Sequence, residues 1–116
     1  MSLPFFVAAC EGSRQPEVQP THRGRYVGGD QLNTFAPCGE KQMYWVVGRA
    51  SFVLQSQYRQ MAHRPFQPLY IEIRGEVAPA GGQAPMEGHT GNIRVDTVLR
   101  AQTIMPVDCK VLVEEE

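Results

Sequence analysis

The residues of this chain with chemistry to offer are three cysteines, three histidines and a scatter of methionines and aromatics. Cys10, Cys38 and Cys109 stand far apart, so there is no C-x-x-C pair of the redox or zinc type. His22, His63 and His89 are spread just as widely, show no ligand spacing, and read as solvated loop side chains. Met43, Met61, Met86 and Met105 are of the type that binds Cu(I). Met61 is needed by an apolar helix face and Met43 falls in a strand, so core packing accounts for them better. No nucleophile, base and orienting acid assemble, which gives a non-enzymatic reading with no cofactor and no metal site.

Cys10 has a distinctive neighbourhood. The residues before it run apolar and then small, with Ala8 and Ala9 directly preceding it, and the polar stretch 11–22 follows. That is the pattern at the end of a bacterial lipoprotein signal, where small residues precede a Cys that becomes acylated. The basic region and the apolar run of about 7 or more residues that complete such a signal are not among these residues. Cys10 is therefore the candidate lipidation site, with an incidental Cys in a frayed apolar end as the other reading. A lipid on Cys10 leaves Cys38 and Cys109 able to pair in an oxidising compartment, two buried free thiols being the alternative. A bridge closing so long a loop stabilises a fold by roughly 4 kcal/mol on the chain-entropy model. No stretch approaches the ~18 consecutive apolar residues of a membrane-spanning helix.

The elements that must position these residues follow from pattern. With 116 residues, 42% of them hydrophobic, the chain holds one small domain with a thin stability margin. Residues 11–22 contain almost nothing apolar besides Val18 and read as a tether. Ordered structure is expected from about Gly24, giving a division into a lipobox and tether at 1–23, a folded domain at 24–113 and an acidic tail at 114–116. Short strands are expected at 25–27, 32–36 and 42–47, punctuated by Gly28-Gly29-Asp30, Pro37-Cys38-Gly39 and Gly48. Ala50, Val53, Leu54, Tyr58 and Met61 fall at helical spacing, with Ser51 as a candidate N-cap and Arg64-Pro65 as a stop. Leu69, Ile71, Ile73 and Val77 then alternate with polar neighbours, as do Ile93, Val95 and Leu99, so each run is a strand with one buried face. A mobile loop is expected over 78–90, which is rich in Gly and Pro. Three strands, one helix and two strands in that order describe a mainly β fold, a five-stranded OB-fold Greek-key barrel with the helix between strands 3 and 4. A small antiparallel sheet with a packed helix is the competing architecture.

Tyr44, Trp45, Tyr58, Phe66 and Tyr70 are of a type that stacks on sugars or bases. Nucleic acid is disfavoured, because the net charge is -1 and Arg74, Arg94 and Arg100 are interleaved with Glu72, Glu76 and Asp96. Cross-strand pairing on a solvated face accounts for those charges. A face made by Tyr44, Tyr70 and Arg74 is left as the candidate binding surface for an oligosaccharide or an envelope protein.

Four segments together carry a family resemblance: Phe35-Ala36-Pro37-Cys38-Gly39, Val53-Leu54-Gln55-Ser56-Gln57-Tyr58, Gln67-Pro68-Leu69-Tyr70-Ile71-Glu72-Ile73-Arg74-Gly75 and Pro106-Val107-Asp108-Cys109. In order and spacing they resemble the C-terminal OB-fold domain of NlpE-type bacterial envelope lipoproteins, over residues 24–109. The resemblance implies a Cys38–Cys109 disulfide and a lipid-anchored domain on the periplasmic face of the outer membrane. Full proteins of that type also carry an N-terminal lipocalin-like barrel with a C-x-x-C motif, tied to copper and to envelope stress. These residues contain neither, so copper handling and signalling are not implied. Two functions of different class follow: a non-enzymatic interaction module anchored to the membrane through its N-terminal lipid, or a redox or envelope-stress reporter working through the Cys38–Cys109 bond.

Overall fold

The structure, a computed structural model, describes residues 19–78 and 88–112. Its elements are β1 (Thr21–Gly29), β2 (Leu32–Pro37), β3 (Tyr44–Val47), α1 (Ser51–Met61), β4 (Leu69–Val77) and β5 (Gly91–Gln102). The strands close into a barrel in the order β1-β2-β3-β5-β4, every pairing antiparallel except β3 with β5. This is the expected five-stranded OB-type barrel, with its helix between strands 3 and 4. The candidate lipidation site Cys10, Met86, most of the expected loop at 78–90 and the acidic tail lie outside the described residues.

Order begins earlier than Gly24. Thr21, His22 and Arg23 form ladder pairs with Arg74, Ile73 and Glu72, and His22 Nε2 lies 3.1 Å from the carbonyl of Gly75. The apolar content of this stretch is too low to signal a strand, and long-range pairing with β4 supplies what local composition lacks.

Inside the barrel, Tyr26, Phe35, Tyr44, Val46, Leu69, Ile71, Ile73, Ile93 and Val95 form one core with Leu54 and Tyr58 of α1. Leu54 and Tyr58 sit one turn apart, and Ala50 and Met61 extend the same seam. Val53 falls beside this seam and is 44% exposed, so the expected helix face is narrower by one residue. Ser51 is the first helical residue rather than the cap. Ala50 holds the cap position without a side-chain bond, and the Ser51 hydroxyl accepts instead from Asn33 Nδ2 at 2.9 Å. Asn33 is buried and fully engaged: Tyr26 donates to its Oδ1 at 2.5 Å and its Nδ2 also donates to the Val46 carbonyl at 3.0 Å. This polar knot joins β1, β2, β3 and α1 beneath the barrel wall.

Leu69, Ile71 and Ile73 point inward as their alternation requires. Val77 shares their parity but lies at the rim, where it is exposed. The alternation of β5 breaks twice. Glu72 pairs with Arg100 and Ile73 with Val98, which leaves Leu99 as an extra residue, and Asp96 is skipped in the same way between Thr97 and Val95. Each bulge flips the phase, so the inward positions are Ile93, Val95, Val98 and Ala101, and Leu99 is turned outward. Ile71→Ala is expected to lower the unfolding free energy by ~2 to 4 kcal/mol through lost burial and a residual cavity. Leu99→Ala should cost under ~1 kcal/mol, because its side chain is turned outward from the core and is 42% exposed. Urea denaturation of the two variants checks the register; equal losses would contradict it.

Candidate functional site

The Cys38–Cys109 disulfide is present, linking residues 71 positions apart with Cα atoms separated by 4.8 Å. It fastens a strap. The chain leaves β5 at Gln102, beside Tyr70 of β4, and crosses the outside of β1. On the way the Asp108 carboxylate pairs with Arg23 at 3.1 Å, and the Arg23 Nη2 also donates to the Asp108 carbonyl at 3.4 Å. Beyond Cys109, Gly39 donates its N–H to the Lys110 carbonyl at 2.7 Å. A shallow depression of about 290 Å³ flanks the bridge, lined by Thr21, His22, Arg23, Pro37, Cys38 and Asp108 among others.

Under this strap lies Tyr70, on the outer face of β4 yet only 2% exposed. Arg23 covers it, its guanidinium carbon 5.8 Å from the ring centroid and its Nη1 donating to the hydroxyl at 3.0 Å. The hydroxyl donates in turn to Glu72 Oε2 at 2.6 Å, and Arg100 faces the other Glu72 oxygen at 3.7 Å. Glu72 and Arg100 are ladder partners, as are Glu76 and Arg94, whereas Arg74 stands opposite Thr97 and the carboxylate of Asp96, a residue the ladder skips, pairs with Arg49 at 2.9 Å.

The three residues of the expected binding face are not brought together. Tyr44 is 9% exposed and belongs to the core, because β3 turns Tyr44 and Val46 inward and Trp45 and Val47 outward. Tyr70 faces outward but is covered, and only Arg74, opposite Thr21, stays partly open. The outward aromatic of β3 is Trp45. His89 meets its ring edge-on at 5.3 Å, and His89 Nε2 lies 2.8 Å from Thr34 Oγ1 on β2. His89 is therefore docked on the barrel wall rather than solvated, and His22 is held to β4, whereas His63 is exposed as expected. Trp45, Thr34 and His89 make a half-open patch on the β2–β3 face, the side on which OB barrels bind oligosaccharides and oligonucleotides. Among the described residues no three of His, Cys, Asp and Glu converge as metal ligands, and Met61 packs on the core as its helical spacing requires.

Comparison with protein families, with curated proteins and with solved structures finds no match to this chain.

Burial is the largest cause raising the pKa of all four tyrosines, Tyr26, Tyr44, Tyr58 and Tyr70, above the usual phenol value. For Tyr70 the bond to Glu72 pushes in the same direction, while Arg23 opposes it. A phenol whose pKa is raised by folding contributes stability that is complete below the unfolded value near ~10 and is lost as pH rises through the folded value. Stability is thus expected to hold from pH 8 to 9.5 and to fall above pH ~10, read by denaturation in parallel with tyrosinate absorbance. A tyrosine titrating normally in the folded protein would contradict the burial described. Replacing Cys38 and Cys109 together by Ser should lower the unfolding free energy by roughly 4 kcal/mol, and a loss under ~1 kcal/mol in urea denaturation would show the strap to be dispensable.

Proposed function

We propose that this chain is a lipid-anchored lipoprotein domain on the periplasmic face of the bacterial outer membrane, of the NlpE type in its OB-fold part, and acts there as a non-enzymatic interaction module. The observation that carries the reading is the Cys38–Cys109 disulfide, since structural disulfides belong to oxidising compartments. The small residues before Cys10 support acylation at that thiol, which is also the one outside the bridge. Multiple acyl chains at one terminus would hold the domain durably on the bilayer, where a single chain is marginal. The filled interior directs binding to the outside of the barrel. There the Trp45, His89 and Thr34 patch suits an oligosaccharide or an envelope protein better than Tyr44, Tyr70 and Arg74 do. Nucleic acid is an unsuitable partner for a chain of net charge -1.

A second reading, a redox reporter, draws on one feature: Cys38 is only partly buried and lines the depression beside the bridge, so an attacking thiolate has a route to its sulfur. A reduction potential near that of the periplasmic oxidation machinery would favour the reporter, and a value below about −300 mV the plain staple.

Expression with a complete lipoprotein signal, followed by cell fractionation, tests the anchor. Wild type is expected in the membrane pellet with the added mass of acyl chains on Cys10, and Cys10→Ala in the soluble fraction. A Cys10→Ala variant that pellets like wild type would place the anchor elsewhere.

A further inference from the structure

The segment joining α1 to β4 is braced beyond what a connector needs. Ala62 N–H donates to the Tyr58 carbonyl at 2.9 Å, His63 N–H to Gln67 Oε1 at 2.6 Å, and the Tyr58 hydroxyl to the Gln67 carbonyl at 2.7 Å. Within this brace Phe66 has φ 64°, the one positive φ of a residue other than glycine among those described. A bulky aromatic avoids that conformation, and strain of this kind persists where the surroundings over-determine it. Yet Phe66 is outside the core and 70% exposed. It forms one wall of a groove of about 700 Å³ that runs past Pro65 and Tyr58 to the β1–β2 turn at Gly29 and Leu32.

The charged side chains beside this groove are basic, against a single carboxylate in its lining. Between Lys41 and Ile71 the sequence has no Asp or Glu, while Arg59 and Arg64, both exposed, flank the brace. Asp30 in the turn is the one carboxylate among the lining residues. An occupant with an apolar side chain followed by carboxylates would complement this arrangement. The chain carries such a segment itself, Leu112-Val113-Glu114-Glu115-Glu116. It leaves the barrel at the wrong end to reach its own groove: Leu112 N–H donates to the Glu40 carbonyl, past the Pro37 end of β2, whereas the groove lies at the Leu32 end. The 6 residues of β2 separate the two ends by roughly 20 Å. The four residues after Leu112 span at most about 14 Å.

We propose that the groove between Phe66 and the β1–β2 turn binds the acidic segment 112–116 of a second copy of this chain, so that barrels associate head to tail. The contact is heterologous, and closes into a ring or continues according to the rotation between copies. It goes beyond the interaction-module reading and stands without the lipid anchor.

The test is sedimentation equilibrium of the full chain, oxidised and carrying Cys10→Ser so that neither lipid nor a stray thiol contributes. Weight-average mass is expected to rise with protein concentration and to fall back as salt is added. Reversing the acidic run with Glu114→Lys, Glu115→Lys and Glu116→Lys should weaken association at least tenfold, and so should Phe66→Ala or Arg64→Glu. The tail variant alters no described residue, so it reports on docking rather than folding. Combining Arg64→Glu with the three lysines should recover part of the lost association. A chain monomeric at every concentration overturns the proposal. So does association indifferent to the tail charges, which would move the contact to another surface such as the Trp45 patch. A monomeric chain that nevertheless binds a synthetic Leu-Val-Glu-Glu-Glu peptide overturns it too, and would assign the groove to another protein's acidic segment.

Discussion

Closure of the barrel depends on one strand pairing on both of its edges. β1 runs against β4 from Thr21 to Tyr26 and against β2 from Gly24 to Gly29, so residues 24 to 26 carry ladders on both sides. At the start of that shared stretch a Cβ on Gly24 would lie 2.2 Å from the Ala36 carbonyl oxygen. Any side chain there would push β1 off β2 and open the sheet. Gly75 has the same role on the far wall, where a Cβ would stand 2.2 Å from the Arg94 carbonyl oxygen, immediately beyond the second of the two bulges in the β4–β5 ladder.

Closure also explains what the disulfide is for. The strap returns from β5 across the outside of β1 and is tied to the end of β2, spanning the strand on which closure depends. Non-local strand pairing carries a loop-closure cost that a small core offsets only narrowly. A bridge across 71 positions removes part of that cost from the unfolded chain. In the folded state the same crossing holds Arg23 between Tyr70 and Asp108, and that is why an outward tyrosine is buried.

Much of the architecture was legible where a pattern had one interpretation. Leu69, Ile71 and Ile73 alternate with polar residues, and the seam of Ala50, Leu54, Tyr58 and Met61 repeats at helical spacing, so β4 and α1 follow directly. The candidate site was less legible, for three separate reasons. Tyr44-Trp45-Val46-Val47 is apolar throughout and has no period of two; the pairing of Thr34 with Trp45 decides which aromatic faces out. The two bulges in β5 change the phase of its alternation without any Gly or Pro to mark them, which moves Leu99 outward and Val98 inward. An outward position is not always an accessible one: Arg23 and the strap cover Tyr70, and His89 meets Trp45 across 44 positions of chain that no local pattern connects.

The two outward features left for recognition differ in construction and position. Trp45 stands on the barrel wall with a histidine at its edge, a surface set by strand register. Phe66 stands at the exit of α1, held by a hydrogen-bonded brace and facing a turn that Gln55 ties to the helix through Gly29 N–H and the Leu32 carbonyl. The chain enters the barrel at Thr21, beside Arg74, while the Phe66 groove adjoins the opposite end of β1. A tether joined at Thr21 and acylated at Cys10 would have a reach of only about 5 to 6 Å times the square root of its length. An anchor of that kind would attach at the Thr21 end, so attachment and recognition would occupy opposite ends of the same strand.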